Sequence, residues 1–161
     1  MKKLVFLSIL YFSISTIFGQ SNGYWQQKVD YKMTVSMDVK TYQYKGNQEL
    51  IYTNNSPDTL YKVFYHLYNN AFQPGSEMDM RLQSIKDPDA RMVDKIKTGD
   101  KTINESRIAK LKPNEIGYLH VSNFKQDGNS TATKEVETIL EVSLLQPILP
   151  GKSTAFTLNF D

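Results

Sequence analysis

The chain has 161 residues, 19 basic and 17 acidic side chains, two histidines and no cysteine. Without thiols it can form neither a disulfide, nor a cysteine-ligated metal site, nor a lipid-modified cysteine, so an exported domain of this sequence is held by its core alone. Lys2 and Lys3 account for the whole excess of positive charge, and the neutral remainder gives no electrostatic case for binding nucleic acid.

Met1-Lys2-Lys3 lead into an apolar run from Leu4 to Phe18, interrupted only by Ser8, Ser13, Ser15 and Thr16 and closed by Gly19-Gln20. Cations, a short greasy segment and a small residue are the parts of a secretory signal peptide, and the run is short of the roughly 20 apolar residues of a membrane-spanning helix. The expectation is a signal peptide over 1–19, cleavage after Gly19, and a mature domain over 20–161 in the periplasm or outside the cell, with no stable membrane anchor.

The mature chain reads as strands. Val29, Tyr31, Met33, Val35, Met37 and Val39 alternate without exception with Asp30, Lys32, Thr34, Ser36, Asp38 and Lys40, which predicts a strand with one face buried. A second strand carries Tyr42, Tyr44, Leu50 and Tyr52 in one phase, with a bulge or sharp bend at Gly46-Asn47. Asn54-Asn55-Ser56-Pro57-Asp58 is a turn by composition. The third strand, 60–68, is apolar on both faces except for Lys62 and His66, which places it mid-sheet and covered on both sides.

Residues 73–116 carry nine basic and eight acidic side chains and no aromatic, a solvated excursion between strands. Within it, Thr102-Ile103-Asn104-Glu105 fits a capping box, with Ile108 and Leu111 behind and Pro113 as a stop, and predicts one short helix. Tyr118–Phe124 and Glu135–Leu144 flank Gln126-Asp127-Gly128-Asn129 and read as a hairpin, with Val136, Leu140, Val142 and Leu144 on one face. After Pro150-Gly151, Phe156, Leu158 and Phe160 alternate along a last strand ending at Asp161. Nothing after it covers that face, so an uncovered stripe beside an open edge is expected, and with it self-association. The fold class is mainly β, an antiparallel sandwich-like domain with one short helix in the charged excursion.

Chemistry is scarce. A catalytic zinc takes three protein ligands, often from His-Glu-x-x-His on a helix; His66 and His120 sit apart in strand-like segments. No Gly-x-Ser-x-Gly turn or glycine-rich phosphate loop occurs. His66 reads as a mostly buried, hydrogen-bonded imidazole. Asp87 and Asp89 flank Pro88 without the ligand ladder of a calcium loop, and read as a solvated turn. The Asn104 and Asn129 glycosylation sequons are short enough to arise by chance. Catalytic, cofactor-binding and metal-binding residues are therefore expected to be absent.

Taken in order, Tyr31-x-Met33-x-Val35-x-Met37-Asp38, then Gly46-x-x-x-Leu50-x-Tyr52-x-Asn54-x-Ser56-x-Asp58-x-Leu60, then Phe64-x-His66-Leu67-Tyr68-x-Asn70-Ala71-Phe72 resemble the start of aminopeptidase N-type zinc metallopeptidases, closest to exported bacterial members. Lys112-Pro113-x-Glu115-Ile116-Gly117-Tyr118 and Ile139-Leu140-Glu141-Val142 leading to Pro147-Ile148-Leu149-Pro150-Gly151 fit as well. The resemblance spans 24–161. It implies a twisted, saddle-like β domain that packs in cis on a separate catalytic domain holding the zinc and the peptide substrate, with His66 in a structural place. On this reading the chain lacks the zinc site and is inactive alone, a fragment ending inside the first domain. The competing reading is a self-contained exported β-sandwich used for binding.

Overall fold

A computed structural model describes residues 23–161; the expected signal peptide lies outside them. The strands run β1 (Lys28–Asp38), β2 (Gln43–Thr53), β3 (Leu60–His66), β4 (Val93–Thr98), β5 (Lys101–Ser106), β6 (Val121–Gln126), β7 (Asn129–Ser130), β8 (Thr133–Val136), β9 (Ile139–Ile148) and β10 (Ser153–Phe160), with helix α1 over Glu77–Ser84. All ladders are antiparallel. One sheet has the order β1-β2-β10-β6-β7, a second β3-β9-β8, and β4-β5 form a separate hairpin. This is the mainly β, sandwich-like architecture that the alternation predicts, with its helix inside the charged excursion.

The two larger sheets share one core. Leu50, Phe124, Phe156 and Leu158 from the first meet Val63, Leu140 and Val142 from the second, with Leu67 and Ile148 at the margins. The rings of Tyr65, Phe124 and Phe156 pack edge-on or tilted, 5.3–6.4 Å apart, the arrangement that aromatic quadrupoles favour.

The strand order overturns the expectation for the last strand. β10 lies between β2 and β6, paired on both edges, and Phe156 is 1% exposed. Its stripe is covered by the second sheet. The uncovered stripe belongs to β1 instead. Tyr31 lies opposite Leu50, which lies opposite Phe156, so the β1 stripe shares the core-facing side of its sheet. Yet Tyr31, Met33, Val35 and Met37 are all about half exposed or more. The first sheet is five strands wide and the second three, and β1, at the margin, overhangs the cover. The predicted alternation is present, but on that face only Val29, at the start of the strand, is partly buried against the core.

β3 differs similarly. It is an edge strand of the second sheet rather than a central one, and Phe64 and His66, on its outer side, are exposed. Its apolar second face is uncovered among the described residues.

Gly46 causes no register shift in either ladder it joins. Its role is clearance: a Cβ there would fall 2.6 Å from Phe160 Cζ and against the Thr34 carbonyl oxygen. The absent side chain lets the Phe160 ring close over the strand.

The hairpin at Gln126-Asp127-Gly128-Asn129 forms, with Asp127 and Gly128 both at positive φ, as a tight two-residue turn requires. Its second strand is only β7. The stretch expected as a single strand is split into β8 and β9 by a turn at Glu137 (φ 53°). Val136 therefore pairs with Ile139 and not in phase with Leu140, and it is exposed.

The helix lies elsewhere than predicted. Thr102, Ile103, Asn104 and Glu105 sit in β5, opposite Lys97, Ile96, Lys95 and Asp94, because Gly99 (φ 62°) closes a tight turn before them and the cross-strand partner outcompetes the cap. Only a short 3-10 turn, Ile108–Lys110, follows. The helix that forms is α1, whose cap Ser76 accepts from Asp79 N while Asp79 Oδ2 accepts from Gly75 N. That pattern is a variant of the capping box: aspartate stands in place of glutamate and reaches back to the amide one residue before the cap, while Ser76 N donates to the Gln73 carbonyl. Leu82, Val93 and Ile108, with Met92 and Leu111, give this excursion a small core of its own.

Candidate functional site

The two histidines, the paired aspartates and the overhang of β1 are separate surfaces. His66 lies opposite Ile139 on the outer side of the second sheet. Its ring stacks on Tyr68 with centroids 5.2 Å apart and planes 12° from parallel. The buried imidazole expected from the sequence is thus an exposed one, because no layer covers this side of the sheet among the described residues. His120 is exposed and pairs with Asp161 through backbone hydrogen bonds of 2.8 and 3.1 Å. Among the described residues, no three His, Cys, Asp or Glu side chains gather as a metal-holding group.

Asp87 is exposed, and Asp89 is clasped by Arg91 at 2.6 Å. Hydrogen bonds from the Arg91 guanidinium and backbone hold the Asp89 carboxyl down at about 2. Pro88 between them is buried. The aspartates belong to a local turn, as the sequence predicts. Asn104 donates to the Ile85 carbonyl at 3.1 Å, which ties the end of α1 to β5, and Asn129 is exposed at the start of β7.

The buried polar side chains are the ones whose individual roles sequence reasoning passed over. Asn54, fully buried, donates to the Asp58 and Ile148 carbonyls at 2.7 and 2.9 Å, and accepts from Ser56 N, Ser56 Oγ and Gln27 Nε2. It is the knot of the Asn-x-Ser-x-Asp corner, and Asp58 takes part through its backbone. Asn70 bridges Glu135 Oε1 and Leu119 N, which binds the segment after His66 to β8 and to the approach to β6. Gln126 spans Gln146 O, Thr154 Oγ1 and Leu145 N. Asn54 and Gln126 each donate twice and accept at least twice, and Asn70 donates once and accepts once, so none is left as the lone buried amide that would be costly.

The overhang has a different character. Tyr31, Met33, Val35 and Met37 form an apolar strip along β1, and its Met37 end opens into a cleft of about 980 Å³. Phe72, Tyr44, Ile116 and Tyr118 supply the apolar walls of this cleft, with Asp38 and Glu115 among the polar ones. Asn69 Nδ2 donates to Tyr44 Oη at 2.5 Å and steadies one wall. Two buried polar atoms have no partner among the described residues: Tyr65 Oη, and Nε2 of Gln48, which lies directly opposite Met33. Burial pushes the Tyr65 hydroxyl well above the ordinary tyrosine range, with Tyr31 adding to it. Contiguous exposed apolar surface of this kind is unusual in a free-standing domain and common where another body docks. The alternation of β1 signalled the strip; its exposure depends on the width of the opposite sheet, which no local pattern encodes.

No helix among the described residues is long and apolar enough to cross a membrane. Comparison with protein-family models, curated proteins and solved structures gave no match.

Proposed function

We propose that the chain is the non-catalytic N-terminal β domain of a secreted aminopeptidase N-type zinc metallopeptidase, and that the apolar overhang of β1 and its cleft form the seat of a neighbouring domain. The supporting observation is that the core-facing strip of β1, at the margin of a five-stranded sheet, is left about half in water. The ordered resemblance across 24–161 names the neighbour: a catalytic domain in cis, where zinc-bound water would attack an N-terminal peptide bond and the motif glutamate would act as base. On this reading residues 20–161 themselves hold no zinc and cleave no aminoacyl substrate. The test is the reading frame beyond the Asp161 codon. A continuation carrying His-Glu-x-x-His supports the proposal, and a secure stop codon contradicts it.

A self-contained binding module is the second reading, favoured by the exposed ring cluster of Phe64, His66 and Tyr68 on the outer side of β3. One stoichiometric zinc lost on mutating His66 or His120 would contradict the first reading.

A further inference from the structure

The outer edge of β1 is a different surface from its apolar face. β1 is 11 residues long, ends the first sheet, contains no proline and keeps an unbroken register with β2. Natural edge strands are usually shortened, bulged, interrupted by proline or charged against pairing; of these devices β1 has only charge, at Lys28, Asp30, Lys32 and Asp38, and that charge is of both signs.

We propose that β1 pairs edge to edge with β1 of a second copy of this chain, antiparallel, about a two-fold axis through Met33. A pairing that keeps the apolar sides together must set odd-numbered residues against odd-numbered ones. Centred on Met33, it places Val29 opposite Met37, Tyr31 opposite Val35 and Met33 opposite itself. On the polar side, Lys28 faces Asp38 of the second copy, Asp30 faces Ser36 and Lys32 faces Thr34. Opposite charges meet at both ends and no like charges meet anywhere. Asp38 is equipped for this contact: its Oδ1 accepts from Lys40 N and Thr41 N, and its Oδ2 is unengaged among the described residues. Lys28, whose own neighbour is Asp30 at 3.0 Å, gains a second carboxylate.

Neighbouring registers are worse. Centring on Lys32 sets that lysine against itself, and centring on Thr34 sets Asp30 against Asp38. Like charges directly opposite are destabilising. Centring on Tyr31 or Val35 keeps the charges complementary but pairs only 28–34 or 32–38. The Met33 register alone uses the whole strand. It joins two five-stranded sheets into one continuous sheet and sets the two apolar strips side by side. The inference is independent of the aminopeptidase reading, because it concerns the edge of β1 and not its face.

The absence of cysteine gives a clean test in the full chain. Met33→Cys puts two thiols on the axis, where directly opposed Cα atoms are about 4.5–5.5 Å apart and within disulfide reach. Val35→Cys puts the two thiols four positions apart in this register, about 13 Å, but on the axis of the shorter one. Mild oxidation should convert most of the Met33→Cys chain to a covalent dimer and leave Val35→Cys uncrosslinked. Sedimentation of the unsubstituted chain should show a monomer–dimer equilibrium that Lys28→Asp weakens. A chain monomeric at every concentration, or crosslinking of Val35→Cys as readily as Met33→Cys, would overturn the proposal.

Discussion

β1 and β10 belong to the same sheet, carry the same alternating apolar pattern and present it on the same side, yet one strip is among the most exposed apolar features of the chain and the other is its core. Tyr31, Leu50 and Phe156 lie in one row across three strands. Exposure falls along that row from 63% to 3% to 1%. The difference is position: β10 sits between two strands beneath the second sheet, and β1 sits at the margin. Periodicity fixes which side a residue faces, and neighbours decide whether that side is dry.

The comparison breaks most readily at its buried end. Phe156→Ala should cost about 4 kcal/mol, as large-to-small changes in packed cores do, seen as a fall in the denaturant midpoint. Val35→Thr on the overhang should stay within about 0.5 kcal/mol in the same experiment. If the two cost the same, the strips are equally buried and the contrast is false.

The corner at Asn54 is next. Asn54→Ala strips hydrogen bonds from two carbonyls and from the Ser56 amide and hydroxyl, and should cost about 3 kcal/mol by thermal melting. Gly46→Ala sharpens the comparison at the row shared by both strips, since Val35 and Phe160 both lie opposite this glycine. A methyl group there presses on both the Thr34 carbonyl oxygen and the Phe160 ring, an overpacking penalty of about 2 kcal/mol. The double variant Gly46→Ala with Phe160→Leu should recover part of it.

The smallest effect concerns pH in the excursion. Burial works to raise the Asp79 carboxyl, but hydrogen bonds from Ser106, the Gly75 amide and Gln83 outweigh it and leave it below its ordinary value of 3.8. A carboxyl depressed in the folded state contributes stability that is present above that ordinary value and is lost as pH falls through the folded one. Asp79→Asn should therefore flatten the acid limb of the stability curve below about pH 4, while the unsubstituted chain loses stability steadily there.

These contrasts also mark what the sequence made legible. Facing was readable: the phases of β1, the Tyr44, Leu50 and Tyr52 phase of β2, and the phase of β10 all stand as the alternation predicts, because side chains on a strand point by geometry alone. The Asp127-Gly128 turn was readable because its backbone needs those residues. Order within the sheets was not. Whether β10 is an edge or a centre depends on long-range pairing with β2 and β6, and the exposure of His66 depends on a layer that the described residues lack. The capping box at Thr102 failed because a cross-strand partner, invisible locally, offered Thr102 to Glu105 a ladder instead. The Ser76 box was legible in principle, with aspartate standing where glutamate is usual. Of the candidate site, the strip could be read from β1 itself, while the cleft needs β1, β2, Phe72 and 114–118 brought together.

Hydroxyl-radical footprinting of the dilute chain tests the central claim most directly, because it reads solvent contact residue by residue. Met33, Met37 and Tyr31 should be modified readily, only partly protected relative to the unfolded chain, with Phe124 and Phe156 strongly protected. Protection of Met33 and Met37 equal to that of Phe156 would contradict the overhang and, with it, the docking face built on it.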